Sequence, residues 1–549
     1  MRRAVDAARA NRVSAAVGHQ MYSAQVLLGT GAFAPVRPDK FAQAVWQLRR
    51  WSNTPAGAVA VGTITHPGQE MVVDEAGNLT FAEVDRRTNA LARALADDGV
   101  GPASNVAVMC RNHRYFIEAT VALSKLGANT LYLNTAFAAP QLAEVVDREQ
   151  VGAIVYDAEF EHLVAGAKAG RGAYVAWGGD AGGADSGGTL ERMIAEGDEA
   201  ALSPPEAPGR VVILTSGTTG TPKGASRSQP KNLDPAVAFL SRIPLKGRER
   251  TLIAAPLFHS WGFAHFSMGL VLSSTYILQR RFDPEATLAA VEKYRPTAMP
   301  VVPVMLQRIM QLPAKVRRKY DTSSLRVVAV SGSALPGELA TGFMDQFGDI
   351  LYNLYGSTEV AWVTIATPED LRAAPGTAGR PPRGTRVRLF DAHDQEVEPG
   401  AGGRIFVANE MLFEGYTGGG GKASIDGLLS TGDVGRFDKE GRLFVEGRDD
   451  EMIVSGGENV FPGEVEDLLA RHPGIAEVAV VGVSDEDFGQ RLKAYVVRKR
   501  GSKLTEAQLK TYVKANLARF KVPREIEFLE ELPRNSTGKI LKRELARTP

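Results

Sequence analysis

Between Val211 and Gly224 an apolar run, VVIL, opens into TSGTTGTPKG, where small residues and hydroxyls crowd ahead of a lysine. Gly217 and Gly220 let backbone N–H groups approach phosphate oxygens, the hydroxyls of Thr215, Ser216, Thr218 and Thr219 add donors, and Lys223 supplies a point charge. That is the chemistry of a phosphate cradle. It departs from the GxxxxGK[ST] spacing, because Pro222 precedes the lysine and Gly224 follows it. Other segments carry groups suited to the same nucleotide. YGSTE at 355–359 offers an aromatic face, hydroxyls and a carboxylate. STGDVG at 430–435 sets Asp433 in a turn, where a carboxylate can grip a ribose diol. PRNSTGKI at 533–540 puts Lys539 on a loop-rich tail, and PLFHSWGF at 256–263 places His259 among aromatics.

These residues need elements to hold them. Short β-branched runs at 105–110, 129–134, 152–157, 211–217, 251–256, 275–279 and 326–332 alternate with helical stretches such as Tyr115–Leu126 and Pro140–Glu149, which predicts βαβ units and largely parallel sheets. After Glu359 the rhythm changes to turn-bounded strands without long helices, so a small β-rich subdomain is expected. From about Asp449 onward, helices at Pro462–Arg471 and Thr505–Ala518 and strands at 477–483 and 493–499 suggest a separate α+β domain. The stretch Thr251–Leu278 lacks Asp, Glu, Lys and Arg for longer than a membrane span needs, but Pro256, His259, His265 and four serines interrupt it. It reads as a buried strand and helix. In the first 45 residues Arg and Ala fall at helical spacing, which predicts a docked helix and not a signal peptide.

At 549 residues the chain is too long for one core and is multidomain. Its 64 basic and 63 acidic residues argue against a broad surface for nucleic acid. A single cysteine, Cys110, excludes an intrachain disulfide or a thiolate metal cluster and fits a reducing compartment.

In order and spacing the motifs resemble the adenylate-forming superfamily of acyl-CoA synthetases, luciferases and peptide-synthetase adenylation domains, with the nearest resemblance to medium- and long-chain fatty acyl-CoA synthetases. The resemblance implies an α/β fold. Two βαβ-type sheet subdomains and a small β-barrel-like subdomain (about 365–448) would make a large domain over 46–448, after a helical extension at 1–45. A small mobile α+β domain at 449–549 would rotate about Asp450. It further implies that Thr215–Lys223 clamps the ATP phosphates and that Tyr355 stacks near adenine, opposite Gly332, Ser333 and Ala334. Gly356 and Ser357 would belong to the same nucleotide site, with Thr358 at the α-phosphate and Glu359 holding Mg²⁺. Asp433 and Arg448 would bind the ribose, and Lys539 would reach the carboxylate and α-phosphate. His259, Trp261, Gly262, Phe263 and Ser331 would meet the acid, and Ser455, Gly456 and Gly457 would flank the path of coenzyme A.

The activity so implied converts a fatty acid and ATP to acyl-AMP, and then to acyl-CoA. Two alternatives are an acyl-AMP ligase loading a carrier protein and an adenylating ligase for an aromatic or other carboxylic acid. Ligases of the carrier type carry an insertion, whereas only sixteen residues separate Glu359 from Gly376. Peptide-synthetase domains place an aspartate near the His259 segment to meet an α-amino group. None stands here, so a plain carboxylic acid fits better. The expected partners are small molecules, in a cytoplasmic protein without a membrane span; a peripheral membrane contact and a homodimer stay open.

Overall fold

The computed structural model describes residues 20–32, 37–167, 169–170, 172–179, 188–214, 223–227, 230, 232–451, 453–455, 458–460, 462–485, 489–535 and 538–547. Among these residues the strands assemble into four sheets. In the first, Val211–Leu214, Asn129–Tyr132, Asn105–Met109, Ala153–Tyr156 and Gly172–Val175 lie side by side and parallel. Gly224–Arg227 and then Gly415–Tyr416 extend it antiparallel at one edge. In the second, six parallel strands run in the order Leu351–Tyr355, Val327–Val330, Ala298–Val301, Arg250–Ile253, Thr275–Leu278 and Glu70–Asp74, with Thr364–Ala366 and Gly77–Thr80 as antiparallel edges. Inner strands such as VVAV and TYIL are buried along their whole length, as expected where helices cover both faces.

One core spans both sheets. Phe116 stacks on Tyr132 at 5.0 Å, Tyr132 meets Phe263 at 4.9 Å, Phe263 meets Phe266 at 5.8 Å, and Phe266 meets Tyr276 at 5.3 Å. This aromatic relay crosses from the first sheet through the helix Ser260–Val271 to the second, and fixes the helix that carries the acyl-side residues. The Thr251–Leu278 stretch is thus a strand, a helix and a strand, and no described helix is long and apolar enough to cross a membrane.

Two boundaries differ from the sequence expectation. The β-rich unit expected from about 365 begins at Arg386. Thr364–Ala366 pairs with Leu351–Tyr355 and so belongs to the second sheet. From Arg386 the antiparallel strands Arg386–Phe390, Gly403–Ala408, Leu428–Phe437 and Ser424–Ile425, with Leu443–Arg448 beside Leu428–Phe437, form an open path and not a closed barrel. At the other end, the boundary at residue 45 falls inside the helix Pro38–Trp51, which buries Ala44 and Trp51 and is followed by the helix Pro55–Thr65. Ahead of it, the helix at 20–29 packs Val26 and Leu27 on the core of the second sheet.

The C-terminal unit has its own core. Ile475–Asp485 and Gly489–Arg498 form a long antiparallel pair, joined by Ile453–Ser455, Glu458–Val460 and Glu525–Leu529, with the helices Pro462–Ala470 and Glu506–Asn516 packed against them.

Candidate functional site

Parallel sheets bind ligands beyond the C-terminal ends of their strands, where loops diverge. Here the ends of both large sheets open into one cleft of about 2870 Å³ that also runs beneath the C-terminal unit. Ser331, Gly332, Ser333 and Ala334 follow the strand Val327–Val330, and Gly356, Ser357, Thr358 and Glu359 follow Leu351–Tyr355; all of them line the cleft. Lys223 lines it from the first sheet. Thr215, Ser216, Gly217, Thr218, Thr219 and Gly220 lie outside the described residues.

Asp433 stands opposite Arg448 in the antiparallel pairing, with 3.7 Å between Oδ1 and Nη1, and accepts the Tyr355 hydroxyl at 2.5 Å. Burial raises the Asp433 carboxyl above its usual value, opposed by the Tyr355 hydrogen bond and by Arg448, Lys422 and Lys539. Burial and the Asp433 charge together push the Tyr355 phenol far up. The pair therefore presents a half-satisfied acceptor and a fixed ring to the cleft, which suits a diol and a base.

Glu359 is nearly buried, yet it lines the cleft. Its Oε2 accepts from Ser357 Oγ at 2.8 Å and its Oε1 from the Tyr416 hydroxyl at 2.9 Å. Each oxygen keeps a lone pair, so the residues fit Mg²⁺, which commonly takes one or two protein carboxylates and completes its shell with phosphate and water. Lys223 Nζ lies 5.2 Å from the Tyr416 ring. Arg227, on the strand Gly224–Arg227, donates to the Thr358 carbonyl at 2.7 Å; burial lowers its pKa to about 10 against the opposing pull of Glu359. Arg227 and Tyr416 are absent from the sequence expectation. Their contacts to Thr358 and Glu359 span 131 and 57 residues, so no local motif announces them.

Lys539 comes to this cleft on a tight turn. Arg534 and Ile540 are bridged, Asn535 N–H donates to the Lys539 carbonyl at 2.9 Å, and Lys539 N–H donates to Asn535 Oδ1 at 2.9 Å. Gly538 has φ of 77°, and a Cβ there would lie 2.2 Å from Cγ1 of Val304 on the helix Pro303–Gln311. The C-terminal turn and the large domain are thus in close contact, with the lysine's charge felt at Asp433.

On the acyl side, His259, Trp261, Gly262, Phe263 and Ser331 all line the cleft. Trp261 Nε1 donates to the Val301 carbonyl at 3.0 Å. At Gly262 a Cβ would stand 2.2 Å from the Pro256 carbonyl oxygen, so the helix start can close on its preceding loop only without a side chain. His259 Nε2 is buried without a hydrogen-bond partner, and burial holds its pKa at about 4. It is a neutral imidazole at ordinary pH. Phe266, one turn further along the helix than Phe263, belongs to the core. Asp450 sits in the turn Asp449–Glu451 and Ser455 ends the strand Ile453–Ser455; their side chains, like Gly456 and Gly457, lie outside what is described.

Comparison with known proteins adds to this geometry. The family profile described as AMP-binding enzyme matches residues 62–417, and the AMP-binding enzyme C-terminal domain matches 464–539. Feruloyl-CoA synthase of an Amycolatopsis species is 35% identical over 479 residues, covering 85% of this chain and 94% of its own. The 3-[(3aS,4S,7aS)-7a-methyl-1,5-dioxo-octahydro-1H-inden-4-yl]propanoyl:CoA ligase of Rhodococcus jostii is 32% identical, over 86% of this chain and 94% of its own. The crystal structure of ATP-bound MatB from Rhodopseudomonas palustris superposes with a TM-score of 0.80 at 27% identity, over 90% of this chain and 98% of that one.

Proposed function

The chain belongs to the AMP-binding enzymes, the adenylate-forming superfamily, and is an AMP-forming acid–thiol ligase; from that premise we propose that its acid is aromatic or ring-bearing and is activated to acyl-AMP before transfer to coenzyme A. The fatty acid expected from sequence gives way to this alternative, because the relatives above are named for a ferulic and a fused-ring acid. The likeness to those relatives carries the reading, and the cleft accords with it: its acyl side offers Trp261 and Phe263, a neutral His259, and no acidic residue along the helix Ser260–Val271.

In the first step a carboxylate oxygen bonds to the α-phosphorus and the bond to the bridging oxygen breaks, releasing pyrophosphate. Negative charge gathers on the α-phosphoryl oxygens, so donors fixed beforehand matter most. Lys539 supplies the cationic donor and Thr358, its carbonyl held by Arg227, a hydroxyl. Tyr355, Asp433 and Arg448 hold the nucleoside. Mg²⁺ held by Glu359 would neutralise phosphate charge. In the second step the thiolate of coenzyme A bonds to the acyl carbon and AMP departs.

CoA-dependent AMP release across benzoic, hydroxycinnamic, indolyl and straight-chain acids tests the acid class. Ring acids should exceed dodecanoate in kcat/KM by at least tenfold. A preference for straight chains would overturn the assignment.

A further inference from the structure

The cleft continues past the acyl wall. Ser260, Phe263, Ala264, Ser267 and Val271 line it, with other residues of the same helix; standing at i, i+3, i+4, i+7 and i+11, these five share a face. With a rise of 1.5 Å per residue, that stripe carries the groove roughly 16 Å along the helix, well beyond a single ring. The same groove is lined by Phe41, Val45 and Leu48 of the helix Pro38–Trp51, at positions i, i+4 and i+7. Asp39, Lys40, Arg49 and Arg50 of that helix are not among its described lining residues. Phe41 is 57% exposed, Leu48 and Val271 each 43%, and Leu233, which also lines the groove, 37%. Singly exposed apolar residues are ordinary, but four converging on a groove continuous with a reacting site mark a place that an apolar body covers.

We propose that the helix Pro38–Trp51 forms the outer wall of the acid-binding site, so that the substrate is an elongated, apolar monocarboxylic acid. Its far end lies between Phe41 and Leu48 on one side and Val271 on the other. This rests on the ring-acid reading for the near end of the substrate, and adds a subsite for the distal end. The occupant follows from continuity with the His259 wall and from the absence of charge along the stripe. The helix is anchored through Ala44 and Trp51, so its groove-facing side chains can change without loss of the fold.

The test is a series of cinnamic acids carrying para-alkyl groups from methyl to octyl, assayed by CoA-dependent AMP release. In the natural enzyme kcat/KM should rise with length, and the octyl-to-methyl ratio should fall at least tenfold in Phe41→Ala/Leu48→Ala and in Val271→Gln. Taking the ratio removes any general loss of activity, and having variants on two separate helices guards against one failing to fold. A ratio unchanged in both variants overturns the proposal. So does loss of binding to phosphatidylglycerol vesicles with the ratio intact, which would make the surface a membrane contact. If straight-chain acids show the length dependence and ring acids are not turned over, the subsite stands and the ring-acid reading fails.

Discussion

Replacing Gly538 by alanine should block one half-reaction and spare the other. The new methyl meets Val304 Cγ1 at 2.2 Å and Val304 Cβ at 3.0 Å. Valine in a helix is held to essentially one χ1 rotamer, so it cannot turn aside, and the turn itself is pinned by the Arg534–Ile540 bridge and the Asn535 bonds. Overpacking of this kind costs about 1–3 kcal/mol. Left-handed backbone at φ of 77° adds about 1 kcal/mol for a residue with a Cβ, but that term is local to the turn and does not depend on what the turn packs against. Only the Val304 clash is specific to the arrangement with Lys539 in the cleft. Acyl-AMP formation, followed as single-turnover pyrophosphate release, should therefore slow roughly fivefold to 150-fold. CoA-ester formation from supplied acyl-AMP should keep its rate. Val304→Ala removes the opposing methyls and should restore most of the loss in the double variant, with a favourable coupling of at least about 1 kcal/mol. Equal slowing of both half-reactions, or no recovery in the double variant, would refute the reasoning.

Four other outcomes are expected. Lys539→Ala should slow acyl-AMP formation by ~10²–10³ while supplied acyl-AMP still reacts with CoA; an unaffected first step removes the lysine from the mechanism. Glu359→Gln should raise the Mg²⁺ concentration giving half-maximal turnover, and no shift counts against the metal role. Asp450→Pro should leave single-turnover pyrophosphate release intact and collapse CoA-ester formation; a fully active variant puts the pivot elsewhere. Finally, His265 is enclosed by Trp261 and Phe239, and burial alone depresses its folded pKa from 6.5 to about 3. The unfolded chain then takes up that proton first, so stability is full above about pH 6.5 and declines toward pH 3, by about 2 kcal/mol at pH 5. His265→Leu should accordingly lose less in urea midpoint between pH 7 and pH 5 than the natural enzyme.

The parallel strands were legible because apolar β-branched runs between turn residues have little other use. The order of phosphate cradle, YGSTE, STGDVG and Lys539 was legible because each motif is local. What sequence could not supply was pairing over distance. Thr364–Ala366 looks like the first of the β-rich strands until its partner, Leu351–Tyr355, is known. Phe263 and Phe266 lie three residues apart in one apolar helix with little asymmetry, so which faces the cleft depends on Tyr132 and Tyr276, far away in the chain. Tyr416 and Arg227 escaped for the same reason. The acid's identity escaped because flat apolar residues suit rings and alkyl chains alike.

The strand Gly415–Tyr416 completes the first sheet by pairing with Gly224–Arg227, roughly 190 residues earlier in the chain. During synthesis at 5–20 residues per second, that edge waits roughly 10–40 s for its partner. Over that interval a ribosome-bound chain lacks the tyrosine that steadies Glu359 and lies beside Lys223. A nascent chain therefore carries the run Thr215–Lys223 long before Tyr416 joins Glu359, and it lacks Lys539, which lines the same cleft, until nearly its whole length has emerged. The waiting edge is also the point at which a holding chaperone would be most needed, since an unpaired strand edge is a template for the wrong neighbour.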